Sequence, residues 1–173
     1  MTGYAGVLAA YRAREFNRVD MQESKFQAFD QWPHIIGTDG LRGCFVVLIG
    51  SLHGAILAHI GPMHIEEDMQ GVTNLYAARR DAYFANGEVW VVAGQVLGNS
   101  PIGDAPERGR TTIVNKLAEI GLANVQRSGY SFHWLAEGDE PSPEFAGKGT
   151  VMAGRIEGKT QAWVENRLLF EWQ

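Results

Sequence analysis

Two side chains in this sequence have the types and spacing for covalent chemistry. Cys44, the only cysteine, follows the glycine-rich approach Gly37-Thr38-Asp39-Gly40-Leu41-Arg42-Gly43, and His59 lies fifteen residues beyond it. A free thiol is mostly protonated at neutral pH, and the thiolate is the nucleophile. A neighbouring imidazole can take that proton, and the cation so formed stabilises the thiolate. Such a pair needs a third group to orient the ring and fix its tautomer. Thr38, six residues before Cys44, could supply its hydroxyl or its carbonyl. The amide N–H of Cys44 and that of a loop residue such as Gly43 could form an oxyanion hole, where donors aimed at developing charge lower the barrier.

The elements that must bring sulfur and ring together are two apolar runs, Phe45–Ile49 and Ala55–Ile60, rich in β-branched residues and bounded by glycines. They read as the strands of a hairpin across Gly50-Ser51-Leu52-His53-Gly54. With an even loop centred between Ser51 and Leu52, Ile49 faces Gly54 and Cys44 faces His59. Directly opposed residues share a face, with Cβ atoms about 4.5–5.5 Å apart. A one-residue slip would put Cys44 and His59 on opposite faces, so the pairing depends on register.

On residue types alone, a lone cysteine in an apolar run also fits a small buried side chain. The segment Leu41-Arg42-Gly43-Cys44, the β-run behind it, His59 and Thr38 together resemble the catalytic core of a cysteine deamidase superfamily. That superfamily includes the cytotoxic necrotizing factor catalytic domain, the Burkholderia lethal factor and the chemoreceptor deamidase CheD. The resemblance implies a papain-like Cys-His-Thr constellation on an α/β sandwich, acting on side-chain amides of proteins without a cofactor. Carried over residue by residue, it implies Cys44 as nucleophile, His59 as general base and Thr38 as the orienting third member. The implied substrate is a glutamine of a target protein; N-terminal amidase or transglutaminase activity belongs to the same class. The other reading is a non-catalytic α/β binding module in which the hairpin is only core.

Around this centre the pattern predicts a helix near residues 5–17, a break at Trp32-Pro33 and a sheet beginning at Ile35-Ile36. His64–Asn86 reads as a long helix, with acids in its first turn and arginines near its end, as the helix dipole favours. Val89–Val96, apolar almost throughout, predicts a central strand covered on both faces. Gly98–Arg110 reads as a loop, Thr111–Leu122 as a helix that Thr111 or Thr112 could cap, and Gly138–Gly149 as a second loop. Ser128–Leu135, Thr150–Ile156, Thr160–Glu165 and Arg167–Glu171 are candidate strands, with Glu157-Gly158-Lys159 a hairpin turn. The expected class is α/β (α+β): a single-domain sandwich of mixed β-sheet with flanking helices over residues 1–173.

Composition narrows the function classes. With 45% hydrophobic and 20% charged residues, the chain has what one globular core requires. A formal net charge of −5 opposes a phosphate backbone, which argues against nucleic acid as partner. No run approaches a membrane span, and the arginines of the first sixteen residues follow the apolar ones, unlike a signal peptide. A cytoplasmic location is expected, or delivery as an effector without such a peptide. His53, His59 and His64, with Glu66 or Glu67 nearby, match no known metal-ligand spacing. His133 sits in an aromatic run, where packing is the expected role.

Overall fold

The computed structural model describes residues 2–97, 105–133 and 149–173. Helix α1 (Thr2–Ala13) is followed by β1 (Asn17–Arg18), β2 (Ser24–Ala28), β3 (Ile35–Thr38), β4 (Phe45–Gly50) and β5 (Gly54–Ile60). Then come α2 (Ile65–Tyr83), β6 (Glu88–Leu97), α3 (Ala105–Glu119), β7 (Val125–His133), β8 (Val151–Ile156), β9 (Lys159–Val164) and β10 (Arg167–Trp172). The strands form two five-stranded mixed sheets, ordered β1-β3-β8-β9-β10 and β2-β5-β4-β6-β7. Pairing is antiparallel except for β1 with β3 and β6 with β7. The fold is thus α+β, a sandwich of two sheets with helices outside it, as expected.

Alternation along the strands explains the layers, because successive side chains of a strand point to opposite faces. Val46 and Leu48 of β4, Leu57 of β5 and Val92 of β6 face Ile36, Val151, Ala153, Ala162 and Val164 of the other sheet. Their alternates Phe45, Val47, Ile49, Ile56, Val89 and Val91 face α2 and α3 through Met69, Val72, Ile113 and Leu117. β6 is therefore buried on both faces, as its unbroken apolar run predicts. On the far side of the first sheet, Ile35, Met152, Ile156 and Trp163 pack under Val7 and Ala10 of α1.

Three expectations need correction. The hairpin turns two residues' worth later in pair sum than expected: Ile49 pairs with Ile56, Val46 with His59 and Phe45 with Ile60. The cause is Ser51. Its N–H donates to Gly54 O at 2.9 Å and its hydroxyl accepts from His53 N–H at 3.2 Å, so Leu52-His53 becomes the two-residue loop. Helix α3 begins at Ala105, inside the stretch expected to be loop. Thr111 and Thr112 cap nothing; each hydroxyl donates back one turn, to Glu107 O and Arg108 O. Finally, β1 and β2 were not foreseen, because Asn17–Arg18 is too short and Ser24-Lys25-Phe26-Gln27-Ala28 too polar for an apolar alternation to register. Residues 98–104 and 134–148, which hold the rest of the two expected loops and Leu135, lie outside the described residues.

Candidate active site

The loop that delivers Cys44 is held by its backbone. Gly40 and Gly43 take φ of 67° and 83°, a left-handed conformation that glycine adopts without strain. Leu41, buried, donates its N–H to Gly149 O at 3.1 Å and so pins the loop to the first sheet. Arg42 turns its side chain to solvent. Cys44 emerges one residue before β4 and belongs to the apolar cluster between the sheets.

His59 is fixed from the edge strand. Its N–H donates to Glu23 O at 3.0 Å, and its carbonyl accepts from Gln22 N–H at 2.8 Å. Because it pairs with Val46, it faces the space between the sheets, where Cys44 also lies. The register differs from the expected one by an even number, so both residues keep a common face. They are diagonal neighbours rather than direct partners, with a typical separation of about 7–8 Å or somewhat less between Cβ atoms.

Thr38 closes β3 on the opposite sheet, wholly buried, and meets His59 across the sandwich. Its Oγ1 lies 2.7 Å from Val19 O and 2.8 Å from His59 Nδ1. A carbonyl can only accept, so the threonine proton goes to Val19. Oγ1 must then accept from Nδ1–H, which leaves Nε2 as the bare, lone-pair nitrogen. Nε2 is buried and has no hydrogen-bond partner among the described residues. The third member expected from the sequence is therefore in contact with the ring and fixes its tautomer. Nε2 makes no hydrogen bond to the thiol at rest.

Electrostatics makes both groups neutral. Burial lowers the His59 pKa below its ordinary 6.5; Asp39, Asp20 and Asp68 work against this, and Arg18 with it. Those three carboxylates would stabilise an imidazolium formed transiently during reaction. Burial raises the Cys44 thiol above its ordinary 9.0, with Asp68 adding to the rise and the Arg42 backbone N–H, turned toward sulfur, opposing it. Cys44 is 7% exposed and His59 4%, so a molecule from solvent reaches the sulfur only when covering groups move aside. The site at rest is a thiol and a free base, not an ion pair.

Compared with family models and with curated proteins, the chain matches none.

Two residues outside the expected set enter the site. Val19 supplies the carbonyl that consumes the Thr38 proton. Tyr130 of β7, also buried, donates its hydroxyl to Cys44 O at 2.8 Å. In the sequence Tyr130 stands out only as part of an aromatic strand, and nothing local marks Val19. Burial pushes the Tyr130 phenol pKa up, and the Gly43 and Cys44 backbone groups oppose that rise. His53 sits in the hairpin loop, and His64 precedes α2 with Nδ1 3.6 Å from Glu67. The side chain of His133 lies outside the described residues.

Proposed function

We propose that this protein is a cysteine-dependent amidohydrolase that deamidates glutamine side chains of a target protein. The observation that carries the reading is the chain Val19 O, Thr38 Oγ1, His59 Nδ1, which leaves a buried Nε2 lone pair on the face that holds the only thiol. A buried acceptor without a partner is costly, and a catalytic role is one physical reason for keeping such a group.

In this mechanism the neutral pair acts in concert. When the site opens, Nε2 takes the Cys44 proton as sulfur bonds to the carboxamide carbon, and that proton then leaves with ammonia as the C–N bond breaks. Water next attacks the thioester, giving its proton to Nε2, and the C–S bond breaks to return the thiol and release glutamate. Asp20, Asp39 and Asp68 hold the transient imidazolium, and Thr38 keeps the ring in the productive tautomer. No cofactor enters these steps. Such a thiol must stay reduced, which suits a cytoplasmic site of action. Among the described residues no helix is long and apolar enough to cross a membrane.

The low exposure of Cys44 and His59 favours one other reading, a non-catalytic binding module whose hairpin only packs the core. Ammonia release from candidate proteins separates the two, read together with the mass gain of a carboxamide converted to a carboxylate. Release that disappears in Cys44→Ser, with the fold intact, supports the amidohydrolase. Equal release by wild type and Cys44→Ser, or none from either, refutes it.

A further inference from the structure

The sheet does not hold the nucleophile's own peptide. Cys44 lies one step outside β4, whose ladder to β6 ends at the pair Phe45 and Ala93. A buried carbonyl in that position needs a partner, since buried backbone groups are nearly always hydrogen-bonded. The partner comes from two strands away: Tyr130 Oη donates to Cys44 O at 2.8 Å.

Register explains the reach. Tyr130 pairs with Gly94, and Gly94 follows Ala93, so Cys44, Gly94 and Tyr130 fall in one row on the inner face. With glycine in the middle of that row, no side chain stands between the phenol and Cys44. Tyr130 is 2% exposed, and its hydroxyl meets the Cys44 carbonyl inside the sandwich. Burial raises the phenol pKa far above its ordinary 10.0, so the hydroxyl stays protonated at any working pH.

We propose that Tyr130 is a positioning residue for Cys44, its hydroxyl clamping the Cys44 peptide so that the thiol is held on the inner face beside His59. This rests on the reading of Cys44 as the nucleophile. A phenol that ties down the peptide unit after Cys44 limits the rotation that would swing sulfur away from Nε2. Misplacement of a reacting atom by an ångström costs on the order of 100-fold in rate.

The test is Tyr130→Phe, which keeps the ring and removes only the hydroxyl, read in two independent ways. Amide hydrogen exchange reports the clamp: protection of Phe45, whose N–H shares the clamped peptide unit, falls by about 10-fold or more while Val47–Ile49 is unchanged. Steady-state deamidation reports its use: kcat falls by about 10–100-fold with KM nearly constant, and the urea midpoint shows a folded variant. Unchanged protection overturns the clamp. Lower protection with undiminished kcat, or a loss confined to KM, overturns the positioning role. Should wild type and Cys44→Ser both release no ammonia, the amidohydrolase reading and the positioning role fail together, and the exchange data still decide whether the clamp exists.

Discussion

Replacing Thr38 by valine removes a hydroxyl and preserves its volume, so the loss isolates the hydrogen bonds that define the base. Both bonds, at 2.7 and 2.8 Å, lie in the closed space between the sheets. The variant strands Val19 O and His59 Nδ1–H, and a buried polar group left without a partner costs about 1–3 kcal/mol. Relief from desolvating the threonine hydroxyl returns about 1–2 kcal/mol, so two stranded groups leave a net loss of about 0–5 kcal/mol, centred on about 2–3 kcal/mol. With urea slopes of about 1–3 kcal/mol per molar for small proteins, the unfolding midpoint drops on the order of 1 M. Thr38→Ser keeps the hydroxyl and loses one methyl group, about 1 kcal/mol. The ring nitrogens separate the two variants: 15N shifts place the proton on Nδ1 of His59 in wild type and in Thr38→Ser, and distribute it between the nitrogens in Thr38→Val. Deamidation falls by about 100-fold or more in the valine variant, the usual scale of a general base. A Thr38→Val protein with wild-type midpoint and an unaltered Nδ1–H tautomer would refute the reasoning, because the ring would then be oriented by something else.

Further outcomes follow from the same geometry. The pH profile of deamidation should be broad: activity persists below pH 6.5, since the lowered His59 pKa keeps Nε2 free there, and persists above pH 9.0, since the raised thiol pKa keeps Cys44 protonated. Stability should fall on both sides of that pair, above pH 9.0 because the unfolded chain gives up the Cys44 proton before the fold does. A base with a depressed folded pKa binds its proton more readily when unfolded, so the fold loses free energy as pH falls through 6.5 toward the His59 value, measured by urea midpoints of wild type against His59→Gln. Iodoacetamide should alkylate native Cys44 more slowly than a free cysteine peptide near neutral pH, given its burial and raised pKa; a faster rate would mean a preformed thiolate. Gly109→Val should destabilise the protein by about 1–3 kcal/mol, because a side chain there meets the Phe45 ring on the helix-facing side of β4; an unchanged melting curve would show that α3 does not seat on that ring.

Much of this architecture is legible in the sequence because each signal there is local. Phe45–Ile49, Ala55–Ile60 and Val89–Val96 are apolar runs near glycines, and the second sheet with α2 and α3 buries Phe45–Ile49, Ala55–Ile60 and Val89–Ala93 on both faces. The common face of Cys44 and His59 also follows from parity, although the register does not. The turn depends on the Ser51 hydroxyl, a contact that spacing alone leaves undetermined. Burial of the site was not legible either. The glycines mark a tight loop leading into Cys44, but spacing does not show that Leu41 is buried and bonded to Gly149. Val19 and Tyr130 join the site through pairings between strands remote in sequence, so their roles depend on topology rather than on any motif. The helix start at Ala105 was missed because Pro106, read as a loop residue, is also well suited to a helix's first turn.

The central claim is that Cys44 attacks a carboxamide carbon with His59 as its base. A glutamine analogue carrying a diazoketone in place of the carboxamide tests it most directly, with intact-mass and peptide mapping as readouts. The account predicts a single adduct on Cys44 of the native protein, with loss of dinitrogen, and its disappearance in His59→Gln at equal fold stability. No adduct on native Cys44, or one that forms equally without His59, would contradict it.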